Sequence, residues 1–254
     1  MTADLVIDGR FNGPARSANG GFACGSLAER VPRLRRDPLG HTVEVTLRRP
    51  PPLGTVLRVT QRGDATLLSE GEHTDEHTVA EGRVVQLDLA PVEPVAADVA
   101  AQATLASPGL SAHPFPACFV CGPERGERDG LRIFPGPVSA DRGFVGSLWV
   151  PHSVDGSAGQ VDVTQPSGFA TTWAALDCVG GWSGDLEGRP CVLGRMTARV
   201  DALPIVDEPH VVVGRHLGSE GRKAFTASTL YDAAGRAVAL ARHIWIQVDP
   251  AAFN

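Results

Sequence analysis

The sequence lacks a long apolar run, since nowhere do the roughly eighteen apolar residues that suggest a membrane-spanning helix follow one another. Its first residues, Met-Thr-Ala-Asp-Leu, also lack the basic region and apolar core of a secretion signal. We therefore expect no membrane partner and a cytoplasmic location.

Cysteine and basic charge are also scarce. Five cysteines in 254 residues are too few for a disulfide scaffold, and their odd number leaves at least one thiol unpaired, so we expect reduced thiols. The formal net charge of −6 provides no basic surface of the kind that a phosphate backbone requires. Nucleic acid is therefore not an expected partner.

The size and composition of the chain fit two ordinary globular domains. With 43% hydrophobic and 20% charged residues, the chain can bury a sizeable core. Between residues 88 and 116 the sequence turns to Pro, Ala and Ser with little periodicity. The sequence therefore predicts an N-terminal domain over residues 1–90, a linker over 91–116 and a C-terminal domain over 117–254.

Each predicted domain contains one helix followed by strands. In the first half, Phe22, Leu27 and Val31 have helical spacing after an Asn-Gly-Gly turn, and alternating apolar residues follow. The predicted strands there cover residues 41–48, 54–62, 65–70 and 81–89, with a hairpin turn at Gly63-Asp64.

The second half repeats this order. Short strands are predicted over residues 131–134 and 143–149, and a helix over 168–178 is predicted to stop at Gly180-Gly181. Four further strands are predicted over residues 192–201, 210–217, 224–231 and 237–248, as consecutive antiparallel neighbours. The fold class is therefore α+β, with an antiparallel sheet wrapped around a central helix in each half. Joining the halves side by side would cover exposed sheet edges.

Several short motifs have a recognisable pattern: residues 18–27 (ANGGFACGSL), 47–50 (LRRP), 173–177 (WAALD), 224–245, and 118–122 (CFVCG) with the later 130–132 (GLR). They resemble motifs of the double-hotdog acyl-CoA thioesterases of type II and of the phenylacetyl-CoA type. The resemblance implies two hotdog domains in one chain and an acyl-CoA or acyl-carrier thioester as substrate. No cofactor is expected, and a homodimer of double-hotdog chains is left open.

Asp177 is the candidate catalytic residue, because it lies on an apolar helix that the resemblance places at the seam between the halves. There a carboxylate could activate water or attack the thioester directly. The alternative is an Asp that faces solvent or caps the turn near Gly180. In the resembling enzymes the acid acts with a Thr or Ser and a Gln, where this chain has Val192 and Arg242; Thr197, Arg242 or His243 are possible substitutes.

The starts of the two helices are candidate substrate-binding elements. Backbone N–H groups at a helix N-terminus can stabilise the negative charge that develops on a thioester oxygen. The residues concerned are Asn19, Gly20, Gly21, Gly168 and Phe169. The alternative is that the glycines only form turns and that Asn19 is only an N-cap. Trp173 is interpreted as pocket lining or core.

A metal site is not predicted. Cys118-x-x-Cys121 with His113 offers three ligands, but a structural zinc site normally has four, and no second pair occurs at matching spacing. Cys24 and Cys178 are interpreted as inert buried thiols on the two helices.

Three functions remain open from the sequence. The first is hydrolysis of an acyl thioester. The second is hydration or dehydration of an enoyl or 3-hydroxyacyl thioester, for which His152 and His243 are the histidine candidates. The third is binding of an acyl thioester or another lipid-like ligand without chemistry.

Overall fold

The computed structural model describes residues 4–34, 37–71, 75–152 and 168–252. Within these ranges the chain forms eleven strands, three α-helices and four short 3₁₀ helices. The strands are β1 (Leu5–Val6), β2 (Thr42–Leu47), β3 (Val56–Arg62), β4 (Ala65–Glu70), β5 (Thr78–Val84), β6 (Gly136–Pro137), β7 (Phe144–Trp149), β8 (Cys191–Val200), β9 (His210–Glu220), β10 (Lys223–Tyr231) and β11 (Ala237–Gln247). The helices are α1 (Gly20–Ala28), α2 (Ala97–Leu105) and α3 (Phe169–Ser183). No helix in the described ranges has the length and apolar character needed to cross a membrane.

All described strands belong to one antiparallel sheet in the order β1-β3-β4-β5-β2-β8-β11-β10-β9-β7-β6. The same pattern occurs on each side of the β2–β8 pair, because β3-β4-β5-β2 in the first half corresponds to β9-β10-β11-β8 in the second. In that central pair, Thr42 lies opposite Arg199 and Thr46 opposite Arg195. The strands β8 and β9 are therefore not neighbours, contrary to the prediction of consecutive pairing, and β8 pairs with β11 instead.

Local sequence patterns explain the strands. In β3, Leu57 and Val59 are buried whereas Val56 and Arg58 are exposed, as expected for a strand with one face on the core. The hairpin turn predicted at Gly63-Asp64 is confirmed, since Arg62 and Ala65 are paired across it. Gly63 has a φ of 62°, a left-handed conformation that glycine adopts without steric cost.

The helices α1 and α3 pack against each other and against the sheet. The helix α1 contacts β2, β5 and β8, and α3 contacts β7, β8, β9, β10 and β11. Leu27 of α1 and Trp173 and Leu176 of α3 are completely buried in the shared core. Burial of large apolar side chains of this kind is the main stabilising contribution to such a core.

Three predicted elements differ from the structure. Residues 131–134 do not form a strand, because Leu131 and Ile133 donate their N–H groups to the carbonyls of Phe119 and Val120 in the loop that contains Cys118. The strand predicted over 81–89 is β5, which begins earlier and ends at Val84. The helix α3 continues through Gly180-Gly181 and ends at Ser183.

The segment 91–116, expected to be a linker, contains α2. Thr104 of α2 accepts a hydrogen bond from the Leu148 N–H of β7 at 3.0 Å. Val92 donates its N–H to Thr229 Oγ1 of β10 at 2.9 Å. Gly136 packs so closely on α2 that an added Cβ would overlap the Ala103 carbonyl. The segment is thus attached to the second half of the sheet.

Candidate active site

Close packing of α1 on α3 creates the candidate site. A Cβ added at Gly21 would lie 2.5 Å from Asp177 Cβ, and one added at Gly25 would lie 2.7 Å from Ala170 Cα. As the position on α1 advances from Gly21 to Gly25, its neighbour on α3 moves back from Asp177 to Ala170. The helices therefore run antiparallel, and two glycines one turn apart allow their backbones to approach each other.

Asp177 is buried in this helix interface and is held by the start of α1. Its Oδ2 accepts hydrogen bonds from the Gly21 N–H at 2.9 Å and from Asn19 Nδ2 at 3.0 Å. Its Oδ1 is also buried but has no hydrogen-bond partner in the described part of the chain. One carboxylate oxygen thus accepts hydrogen bonds from two donors, whereas the other has no donor among the described residues.

Asn19 links the helix start to the carboxylate. Its Oδ1 accepts the Phe22 N–H at 2.9 Å, which caps α1, while its Nδ2 donates to Asp177. The N-cap interpretation from the sequence is confirmed, but it accounts only for the Oδ1 atom of Asn19 and not for the hydrogen bond that Nδ2 donates to Asp177. The same residue therefore sets both the start of α1 and the orientation of the acid.

Burial raises the pKa of Asp177 from its ordinary value to about 7. Loss of hydration is the largest cause, because it disfavours the charged carboxylate. The hydrogen bond from the Gly21 N–H lowers the pKa, negative charge on Cys118 raises it, and the Asn19 amide lowers it. The solvent-facing alternative for Asp177 is wrong, since only 2% of the residue is exposed.

A mainly apolar cavity of ≈ 290 Å³ lies next to this carboxylate. Asn19, Gly20 and Asp177 line it on the helix side. Its other walls include Leu47 at the end of β2 with the following residues 48–51, the first residues of β8, and Trp245, Ile246 and Val248 at and just after the end of β11. The exposed Arg48, Arg49 and Arg222 are part of the same lining. Elements of both halves of the sheet therefore enclose one cavity.

The predicted site residues fall into two groups. Asn19, Gly20 and Asp177 line the cavity; Gly21 is not among the described lining residues but donates its N–H to Asp177. Three others, Gly168, Phe169 and Trp173, are not among the described residues that line it. The start of α3 lies eight residues before Asp177, or about 12 Å along the helix axis. Trp173 is fully buried against Phe169, with ring centroids 6.1 Å apart, so the core interpretation holds.

The residues considered as replacements for the Thr and Gln partners do not surround Asp177. Val192, at the aligned position, lines the cavity but is apolar. Thr197 is not among the described residues that line the cavity, and Arg242 is exposed and lines a different surface depression. His243 is buried, with its Nδ1 3.2 Å from Thr226 Oγ1. In the described chain the polar side chain bonded to Asp177 is Asn19. Sequence reasoning named Asn19 as a candidate but did not identify this pairing, which only the packing of α1 on α3 creates.

The cavity is also lined by sulfur. Cys118, Cys121 and Cys178 have their Sγ atoms within 4.8 Å of one another, and His113 and Cys191 also line the cavity. Hydrogen bonds from Cys121 and Cys178 lower the pKa of Cys118, whereas the pKa values of Cys121 and Cys178 are raised. The Cys118-x-x-Cys121 spacing was visible in the sequence, but the third sulfur is contributed by α3, nearly sixty residues later in the chain.

Comparison with solved structures identifies the fold. The chain is similar to a protein from Novosphingobium aromaticivorans that is provisionally described as a thioesterase. The two sequences are 16% identical, the match covers 97% of this chain and 95% of that chain, and the TM-score is 0.60. It is similar to an acyl-CoA thioesterase II from Mycobacterium marinum, with 10% identity, 92% and 91% coverage and a TM-score of 0.51. A protein with a hot dog fold from Alicyclobacillus acidocaldarius matches with 13% identity, 98% and 97% coverage and a TM-score of 0.51.

No protein-family model matches the sequence, and no curated protein matches it. The structural likenesses nevertheless cover nearly the whole chain. The chain therefore has the hotdog fold, and the resemblance inferred from the sequence is confirmed at the level of the fold.

Proposed function

We propose that the chain is a double-hotdog acyl thioester hydrolase. The division into two hotdog domains, residues 1–90 and 117–254, is supported by the matching strand order on each side of the β2–β8 pair. The connecting segment 91–116 packs on the second domain through α2. The proposed substrate is an acyl-CoA or an acyl group on a carrier, in line with the thioesterase descriptions of the structural neighbours.

One observation carries the proposed activity: a buried carboxylate with one fixed and one unpaired oxygen adjoins an apolar cavity. Asn19 and Gly21 hold Oδ2 of Asp177, so Oδ1 has a defined orientation. A general base must lie within hydrogen-bond reach of the proton it removes and must be oriented by its neighbours. Asp177 satisfies the second condition without a bound substrate.

In the proposed reaction, Asp177 Oδ1 removes a proton from water as the water oxygen attacks the thioester carbonyl carbon. The negative charge that develops on the carbonyl oxygen needs a nearby donor. The Gly20 N–H at the start of α1 is the candidate, because Gly20 lines the cavity and a Cβ there would lie 2.7 Å from Leu193 Cβ, so the site excludes a side chain. Collapse of the intermediate breaks the C–S bond, and the proton held by Asp177 passes to the departing thiolate.

The cavity lining supports a substrate with an apolar end and an anionic end. Apolar residues such as Leu193 and Trp245 suit an acyl group. The exposed guanidinium groups of Arg48, Arg49 and Arg222 suit phosphates, which CoA and a phosphopantetheine carrier both possess. The proposed orientation therefore puts the acyl group inward and the phosphates toward these arginines.

The two histidines considered for the hydratase alternative, His152 and His243, do not line the Asp177 cavity. His152 lines a separate depression with Glu127 and Arg128, and His243 is not among the described residues that line the Asp177 cavity. Burial also lowers the pKa of His243 to about 3, so this residue stays neutral near neutral pH. No observation on either histidine favours hydration chemistry.

The direct test is a panel of acyl-CoA esters of increasing chain length, with released CoA measured by a thiol-reactive dye. The wild-type chain is expected to release CoA, and Asp177→Asn to lower kcat/KM by at least about 100-fold, in the range for loss of a general base. The matched control is Asp98→Asn, which neutralises an exposed carboxylate on α2.

Two results would contradict the proposal. Turnover by Asp177→Asn at the wild-type rate would remove this residue from the mechanism. Thermal stabilisation of the wild-type chain by CoA esters without any release of CoA would instead indicate a binding protein, because a ligand that binds only the native state raises Tm.

A further inference from the structure

The three clustered cysteines come from two distant parts of the chain. Cys118 and Cys121 lie in the loop before β6, and Cys178 lies on α3, one residue after Asp177. All three are buried, and none is in a disulfide. Their sulfur atoms are within 4.8 Å of one another, and Cys118 Sγ and Cys178 Sγ are 3.8 Å apart. The fold therefore supplies the third sulfur that the local sequence spacing does not provide.

These separations approach those of a metal-thiolate site. Two thiolates bound at about 2.3 Å to one tetrahedral zinc ion lie roughly 3.8 Å apart. The Cys118–Cys178 pair already has this spacing. Two sulfur atoms separated by the 4.8 Å that bounds the cluster would have to approach each other by about 1 Å to reach the same spacing. Thiolate sulfur selects zinc over the hard cations magnesium and calcium, which prefer oxygen.

Hydrogen-bond donors already surround the sulfurs. Asn19 Nδ2 lies 3.7 Å from Cys178 Sγ and 4.0 Å from Cys118 Sγ. His113 Nδ1 accepts the Phe115 N–H at 2.9 Å, so the ring proton is on Nε2, which lies 3.2 Å from Cys121 Sγ. Donors of this kind stabilise metal-bound thiolates from outside the ligand shell. In this tautomer His113 is a donor to Cys121.

We propose that Cys118, Cys121 and Cys178 bind one zinc ion at the wall of the cavity. On binding, each thiol loses its proton to solvent and forms one S–Zn bond, without any change of oxidation state. Because the same three cysteines line the cavity, a water molecule or a ligand atom from the cavity takes the fourth position. Three protein ligands with one open position is the arrangement of catalytic rather than structural zinc sites.

The first test measures bound metal in the full chain, purified under reducing conditions, dialysed with ZnCl₂ and freed of unbound ion. We expect about one zinc ion per chain, and nearly none in Cys178→Ser. The matched control is Cys191→Ser, because Cys191 is also buried and lines the same cavity but is not in the cluster. Zinc content equal in wild type and Cys178→Ser would overturn the proposal.

A second measurement uses the wild-type chain alone, so that it does not depend on folding of a variant. Titration with CoCl₂ is expected to give thiolate-to-cobalt charge-transfer bands that saturate at about one ion per chain and are abolished by ZnCl₂. Absence of these bands, or a Cys118–Cys178 disulfide found by mass spectrometry in the reduced preparation, would overturn the proposal. Neither readout depends on thioester hydrolysis.

Discussion

The backbone N–H of Gly21 on α1 donates to Asp177 Oδ2 on α3 at 2.9 Å, so the first helix orients the acid on the second. This contact is possible because no side chain separates the two backbones. The same glycine is therefore required both for packing of the central helices and for the position of the candidate catalytic group. Stability and activity are expected to be coupled at this point.

Gly21→Ala is expected to destabilise the protein. The new Cβ would lie 2.5 Å from Asp177 Cβ and 2.8 Å from the Trp173 carbonyl oxygen, and backbone cannot move away cheaply. Overpacking of this kind costs about 1–3 kcal/mol. Helix propensity alone would give the opposite sign, since Ala is favoured over Gly by about 1 kcal/mol within a helix.

Urea denaturation at constant pH measures this difference. Gly126→Ala is the control, because a Cβ at Gly126 would have no neighbour within 4 Å. An unchanged or higher free energy of unfolding for Gly21→Ala would show that α1 and α3 are not in such close contact.

Substitutions of Asn19 are expected to separate helix capping from orientation of Asp177. Asn19→Ala removes the cap on the Phe22 N–H and the donor to Asp177, and loss of the cap costs about 1 kcal/mol. Asn19→Ser retains a capping oxygen but is too short to replace the amide donor. Both variants are therefore expected to have a lower kcat, on the order of tenfold, if Asp177 acts as a general base.

The comparison combines thermal melting with steady-state kinetics. Asn19→Ser should regain most of the stability lost in Asn19→Ala without regaining kcat. If kcat recovers together with stability, Asn19 acts only as a helix cap.

Filling the cavity is expected to discriminate against long acyl chains. Val192→Trp adds a large side chain to the cavity wall formed by β8. kcat/KM for long acyl-CoA esters should fall by about 10-fold or more for each methylene group that no longer fits, while short esters are still hydrolysed. Val56→Trp on β3 is the control, because Val56 is exposed and is not among the described lining residues. An equal effect on all chain lengths would place the acyl group elsewhere.

Most of the secondary structure could be predicted because its signals are local. The alternation of buried and exposed residues in β3 and the Gly63-Asp64 turn both depend on residues adjacent in the chain. The end of α3 could not be predicted in this way. A Cβ at Gly180 would lie 2.7 Å from His243 Nδ1, and one at Gly181 would lie 3.1 Å from the Trp245 ring, so these glycines allow α3 to pack on β11 and do not end the helix.

The candidate site was only partly predictable for the same reason. Asp177 stood out because an acid on an apolar helix is rare, but the sequence left a solvent-facing position open, and the structure shows that the residue is buried. Its pairing with Asn19, and the meeting of Cys178 with Cys118, depend on how α1, α3 and a distant loop pack together. Spacing along the chain carries no information on contacts of that kind.

The buried His243 is expected to make the protein less stable at acidic pH. Burial lowers its pKa in the folded state to about 3, whereas an unfolded histidine titrates near pH 6.5. The unfolded chain therefore binds a proton at this residue between those values while the folded chain does not, so stability falls as the pH falls below about 6.5. The expected loss from this residue between pH 7 and pH 5 is about 2 kcal/mol.

His243→Asn isolates this contribution, since Asn can keep the hydrogen bond that His243 Nδ1 makes with Thr226 and does not titrate. The raised pKa of Asp177 acts in the opposite direction, because that carboxyl binds a proton more readily in the folded state. Asp177 is present in both chains, so its effect cancels in the difference. Urea denaturation from pH 5 to pH 8 should show the stability advantage of wild type over His243→Asn shrinking toward pH 5. An advantage independent of pH would mean that His243 is protonated as readily in the folded chain as in the unfolded one.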